Sequence, residues 1–376
     1  MNMNKSVFWM CLILLILQGC QKKVEYQIDD EVLQVQATVE TTPVPGSDDA
    51  ADDPCIWIHP TNPSLSTIIG TYKKENGGLL IYDLEGKEIQ FVQDGRMNNV
   101  DIRYNFPLNG QNVSLVTAGN RRDNTISIYK VDPDSRQLEN VAARVLPLGL
   151  KEVYGSCMYY SVKTGQYYAF VNDKTGRIEQ WHLFDNGRGK VDGKLVRTLF
   201  VDSQPEGCVA DDILAEFYIG EEEAAIWKFG AEPDDSNEKT LVDSVGNHFV
   251  PDVEGLTIYY TNDTTGYLIA SSQGNNTYVV YMREGKNDYV GTFQIIDSNS
   301  VDGVQDTDGI DVCNFGLGPA FPNGVFVVQD GYNPGAYQNF KLVRWEEIAN
   351  VFHPPLAVNP EWNPSTLNHG GQAHTE

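Results

Sequence analysis

The 376-residue chain is poor in basic residues, with 27 Lys and Arg against 52 Asp and Glu and a formal net charge of −25. So large an acid excess excludes nucleic acid as a partner, because phosphates demand Lys and Arg. It also opposes adsorption to anionic lipid. Histidine is scarce too: the six present are scattered, and none stands at paired metal-ligand spacing. Cysteines also number six. Cys55, Cys157, Cys208 and Cys313 lie too far apart for a disulfide framework or a zinc site, and each falls in an apolar run as a buried free thiol. No Cys is followed by Arg six positions on, no Arg-His-Gly triplet occurs, and no Gly-Lys pair is followed by Ser or Thr. Cysteine-phosphatase, histidine-phosphatase and P-loop chemistries are thereby excluded. For any phosphoryl chemistry, metal-activated water is what remains.

The apolar run at 8–17 is short of the ~20 residues that span a bilayer. Placed after Lys5 and before Gln18-Gly19-Cys20, it reads as a secretory signal. Leu17, Gly19 and Cys20 resemble the bacterial lipoprotein processing box. The expectation is a signal peptide over 1–19, lipidation of Cys20, a tether over 20–31, a globular domain over 32–352 and a polar tail over 353–376. The protein is expected in the cell envelope, touching membrane only through its anchor.

What is present is a repeat. An apolar content of 41% supplies an ample core. DDPCIWIHP (52–60), NNVDIRYNF (98–106), VYGSCMYYS (153–161), PEGCVADD (205–212), VEGLTIYY (253–260) and TDGIDVCNF (307–315) share one design, a polar turn followed by an apolar strand. Their equivalent residues Asp53, Asn99, Tyr154, Glu206, Glu254 and Asp308 step by 46, 55, 52, 48 and 54. A second register of aromatics, Tyr82, Tyr129, Trp181, Trp227 and Tyr281, steps by 47, 52, 46 and 54. Each unit has three clear strands and room for a fourth, and such a unit cannot bury its own faces. The fold class is therefore all-β, a six-bladed β-propeller. The stretch VLQVQATVETTPV (32–44) is expected to supply a missing strand to the last blade.

In an up-and-down blade, the loop entering strand one and the loop joining strands two and three share a face. The entering loops carry Asp53, Asn99, Asp101, Glu206, Asp252, Glu254, Asp306, Asp308 and Asp311. The second ring supplies Lys73, Lys74, Arg121, Arg122 and Lys174 from blades one to three, and Glu222, Gln329 and Asp330 from blades four to six. Carboxylates converging on one axis repel by on the order of 4 kcal/mol per close pair at an effective dielectric of ~20. Bound cations relieve this, and an all-oxygen ligand set points to calcium rather than zinc. The adjacent Lys and Arg suit an anionic, phosphate-like ligand.

The strings DDPCIWIHPTNP, KKENGGLLIYDLEGKE, NNVDIRYNFPL, EVYGS, KTGQYYAFVNDKTG, QPEGCVADD, GEEEAAIWKF, DVEGLTIYY and DTDGIDV together resemble the bacterial β-propeller phytases, from about 40 to 350. The resemblance implies a calcium-dependent hydrolase of phytate, or calcium-phytate, that acts as a monomer. It implies in-line attack on the phosphomonoester by calcium-bound water. It places catalytic calcium on Asp53, Glu206, Glu222, Asp252 and Glu254, with Tyr154 beside them. Lys73, Arg121, Tyr154 and Lys174 would hold the scissile phosphate. Lys74, Arg122, Asn99 and Asp101 would assist in substrate binding. Asp306, Asp308, Asp311, Gln329 and Asp330 fall where the family holds stabilising calcium. A lactonase-like propeller hydrolase would want the acids but leave the Lys and Arg unexplained. A non-enzymatic binding propeller would expose apolar groups on that face instead.

Overall fold

The computed structural model describes residues 30–367 together with Tyr26 and Ile28. The expected signal segment and Cys20 lie outside these residues. The β-structure divides into six sheets, five of them beginning with four strands in strict chain order. The inner strands are Ala51–Trp57, Met97–Leu108, Val153–Ser161, Pro205–Asp211, Val253–Tyr260 and Ile310–Cys313. Each touches the next, and the sixth touches the first, so the ring is a closed six-bladed propeller.

Burial follows position in the blade. In blade one, Ala51–Trp57, Thr67–Tyr72 and Gly78–Tyr82 are wholly buried, whereas the outermost strand Glu88–Gln93 is largely open to solvent. Strands covered on both faces need continuous apolar sequence, and a rim strand does not. The repeated aromatics have a structural counterpart. Tyr82, Trp181, Trp227 and Tyr281 stand where the third strand shifts register against the fourth.

Ring closure differs from expectation. Residues 32–44 do not form one strand on the last blade. Val32–Gln36 runs parallel to Tyr289–Ile296 and gives blade five a fifth strand. After a bend at Thr38, only Val39–Glu40 pairs with Asn339–Arg344, completing blade six. At roughly 3.3 Å per residue, an unbroken strand of that length would overrun both blades.

The segment after the short helix Trp345–Val351 also departs from the expected polar tail, as far as Leu367. Trp362 stacks on Tyr260 at 4.2 Å, and Trp362 and Leu367 are buried. The Asn105 side chain donates to the Ser365 carbonyl at 2.6 Å, and that of Asn314 donates to the Trp362 carbonyl at 2.9 Å. Residues 353–367 therefore pack beneath the propeller, where Trp362, Pro364 and Leu367 line the lower end of the central channel. Residues 368–376 lie outside the described part.

Candidate functional site

The upper mouth of the channel is shaped by a repeated backbone device. Five of the six inner strands shift register against their neighbours at the polar motif: between Ala51 and Pro54, Met97 and Val100, Val153 and Ser156, Pro205 and Cys208, and Val253 and Leu256. A bulge of this kind re-aims a side chain out of the ladder. Close approach between blades does the rest. A Cβ on Gly155 would lie 1.8 Å from the Glu206 carbonyl oxygen, and one on Gly207 would lie 1.5 Å from that of Glu254. Only glycine admits this contact, which draws Tyr154, Glu206 and Glu254 together from three successive blades.

Glu222, between the second and third strands of blade four, completes a buried set. One carboxylate oxygen from each of Glu206, Glu222 and Glu254 lies within 4.8 Å of the others. Asn98 donates to Glu206 Oε1 at 2.7 Å, and Gln204 donates to both oxygens of Glu222 at 2.6 and 2.7 Å. Burial and the neighbouring Glu206 push the Glu222 carboxyl up to about 8. Burial and Glu206 likewise hold Glu254 well above the carboxylate range, and burial with Glu223 and Glu206 raises Asp252. Negative charge held this unfavourably asks for a counter-cation. The donor set is all oxygen, and it could hold a hard metal ion.

Fixed cations stand beside it. Lys73 Nζ contacts Asp49 at 2.6 Å, Asp52 at 2.8 Å and Asp308 at 3.0 Å. Burial disfavours its charge, but Asp52, Asp308 and Asp49 outweigh that and hold the ammonium well above its ordinary value. Lys174 Nζ sits 4.0 Å over the Tyr154 ring, and the Arg121 guanidinium lies 5.3 Å from the same centroid. Tyr154 is thus a cation–π platform. Burial and the three glutamates raise its hydroxyl, so it is held neutral as a donor.

A site that gathers hard-ion ligands and phosphate-suited cations invites comparison with known hydrolases. The family model for phytases matches residues 5–370. The 3-phytase of Bacillus subtilis (strain 168) is 46% identical over 364 residues, covering 94% of this chain and 95% of that protein. The chain belongs to the phytase family.

The remaining residues of this phytase-family site divide by depth. Asp53 accepts from the Val100 N–H at 3.0 Å, and burial raises its carboxyl well above the usual range. Asn99 is buried and accepts from the Asn98 side chain at 3.2 Å. Asp101 and Asp311 lie lower in the channel wall. Asp101 pairs with Arg103 at 3.0 Å and caps the Met158 N–H at 2.7 Å. Asp311 caps the Ile56 N–H at 2.9 Å and accepts from Thr257 Oγ1 at 3.0 Å, with burial and Asp101 pushing it up to about 7. These two carboxylates fasten neighbouring blades and stand apart from the mouth. The four cysteines are free and buried.

Asp306, Asp308, Gln329 and Asp330 take different partners. Asp308 is shared by Lys73 and the Gln273 amide, and its N–H donates to Gln329 Oε1 at 2.8 Å. Asp330 lies 3.3 Å from the buried Lys341 ammonium, which also bonds Glu40 and Asp302. Asp306 has a left-handed backbone (φ 48°) and donates its N–H to Asn276 at 2.8 Å. Arg122 turns away from Arg121 to Asp94 and Asp123. Lys74 is half-buried next to Lys73.

Three participants were not singled out by the motif reading: Arg96, Glu152 and Gln204. Asn98 links Arg121 to Glu206, and Glu152 accepts from Arg121 at 2.9 Å. Arg96, Glu152 and Gln204 lie one or two residues before the start of a repeated segment, so extending each repeat upstream would have found them.

Proposed function

We propose that the protein hydrolyses the phosphomonoesters of phytate in a calcium-dependent reaction. The observation that carries this reading is the set Glu206, Glu222 and Glu254 standing next to Arg121 and Lys174, both of which lie over the Tyr154 ring. Phytate is a dense polyanion and the chain carries −25, so free association is opposed unless the mouth is locally positive. The 46% identity to a 3-phytase supports the same substrate class.

Glu206, Glu222, Glu254 and Asp252 would hold calcium. When bound, it would supply positive charge facing the phosphoryl oxygens and an acidified water. Arg121 offers a planar fork to two phosphate oxygens, and Lys174 and Lys73 add point charges. Fixed in place before the reaction, these groups stabilise the charge that develops on the phosphoryl oxygens. Tyr154 orients Arg121 and Lys174 through its ring and donates from its hydroxyl. Attack in line, without a phosphoenzyme, fits the lack of a nucleophile motif. The protein would act as a monomer. Cys20 would anchor it in the cell envelope, and mass spectrometry of the mature N-terminus checks that point.

Phosphate release from phytate, with and without calcium, tests the reading. Release that is abolished by chelation and restored by calcium is expected. Equal release in fully chelated protein would refute the role of calcium, and no release under either condition would refute the substrate.

A further inference from the structure

Three of the five N–H donors of Arg121 are engaged, including both that form its Nε–Nη2 edge. Its Nε and Nη2 both donate to Glu152 Oε1, at 3.1 and 2.9 Å, and its Nη1 donates to Asn98 Oδ1 at 3.3 Å. The Asn98 side chain is itself committed to Glu206. One edge of its guanidinium lies against Glu152, and its central carbon is 5.3 Å from the Tyr154 ring centroid. An oxyanion gripped by the Nε–Nη2 edge must therefore take the place of the Glu152 carboxylate.

Glu152 is built to give way. Its backbone is pinned on both sides: the Lys151 N–H donates to Asp173 Oδ2 at 3.0 Å, and the Val153 N–H donates to Asn124 Oδ1 at 2.8 Å. Its side chain, by contrast, is 42% exposed at the mouth. A second guanidinium is already near. Arg96 Nη1 lies 3.7 Å from the same Oε1, and its other carboxylate neighbour, Glu75, is 3.6 Å away on a side chain 75% exposed.

We propose that Glu152 is an internal stand-in for the substrate phosphate, holding the fork of Arg121 until a phosphate arrives and then moving to Arg96. This rests on the reading that Arg121 grips phosphate. Glu152 and Arg96 are then positioning residues. They set how tightly phosphate is taken rather than how fast it is cleaved. A partly exposed ion pair is worth up to ~1 kcal/mol, so releasing the fork changes affinity by roughly two- to fivefold.

The test uses the calcium-loaded full-length protein and three variants: Glu152→Gln, Arg96→Ala and both together. KM and kcat are measured with phytate, and the affinity for inorganic phosphate is measured by calorimetry. Glu152→Gln should lower KM and tighten inorganic phosphate roughly two- to fivefold, with the change in KM rather than kcat. Glu152→Asp, too short to fill the fork, should follow Glu152→Gln; a general field effect of the charge would leave it like wild type. Arg96→Ala should raise KM, and in the double variant that penalty should vanish, since coupled residues are not additive. An unchanged or higher KM in Glu152→Gln overturns the stand-in role. A penalty that persists in the double variant shows that Arg96 grips substrate itself, and overturns the hand-over. Failure of wild type to cleave phytate or bind phosphate would instead count against the functional reading.

Discussion

The two sides of the channel mouth carry carboxylates of the same kind and relieve them differently. Toward blades six and one, Asp52 and Asp308 share the Lys73 ammonium, while Asp302 and Asp330 share that of Lys341. Toward blades four and five, Glu206 and Glu222 have amide partners in Asn98 and Gln204, and Glu254 stands against Glu206. Among the described residues, no Lys or Arg reaches these three within ion-pair distance. A cation supplied by the chain makes acids into structure. Acids left without one become a place for something that comes and goes.

The comparison is broken most forcefully on its structural side. Lys341 is fully buried, so Lys341→Met leaves its carboxylates unpaired and should destabilise the protein by about 3–5 kcal/mol in urea denaturation. A near-neutral result would mean that Lys341 is not what holds those acids. On the other side, Arg121→Ala and Glu222→Ala should each cut turnover at least tenfold, since losing one such transition-state contact typically costs ~2.7–4 kcal/mol. Calorimetry separates them further: Glu222→Ala should weaken calcium binding, and Arg121→Ala should leave it intact.

A smaller effect comes with pH. The folded-state carboxyl of Glu222 stands at about 8 against an ordinary 4.5. The calcium-free folded protein therefore binds more protons than the unfolded chain across that window, and its stability should fall as pH rises through it. Calcium displaces the proton, so its stabilising effect should be larger at pH 8 than at pH 5. Equal calcium-induced shifts in Tm at the two values would contradict this. Smallest of all is Arg122→Ala. Its partners Asp94 and Asp123 are partly exposed, and kcat/KM should change by less than about threefold. A larger loss would place Arg122 with Arg121 after all.

The repeat was legible because inner and middle strands are covered on both faces and must read as apolar runs at a fixed interval. Rim strands such as Gln137–Asn140 and Thr240–Ser244 face solvent and carry no such constraint, so the fourth strand of each blade was only inferred. Motif acids were legible for the same reason: Asp53, Glu206 and Glu254 each stand at a bulge of an otherwise apolar strand. Which acids meet was not. Depth in the channel separates Asp101 and Asp311 from Glu206 and Glu254, and depth depends on strand register, which one sequence does not display. Trp362 and Leu367 were missed because two apolar residues in a polar stretch show no period.

The clasp of blade six imposes an order in time. Val39–Glu40 is among the first strands to be made, and its partner Asn339–Arg344 is the last. At ~5–20 residues per second, the intervening ~300 residues take roughly 15–60 s to synthesise. Throughout that interval the first blade and the emerging ones stand in an open arc, with the rim of blade six still missing. The three glutamates belong to blades four and five, but their neighbours Asp308 and Asp53 meet only when the arc shuts. Assembly of the full mouth is therefore among the last events in the life of the nascent protein, and a chain cut short anywhere in blade six would carry nearly every motif and no finished site.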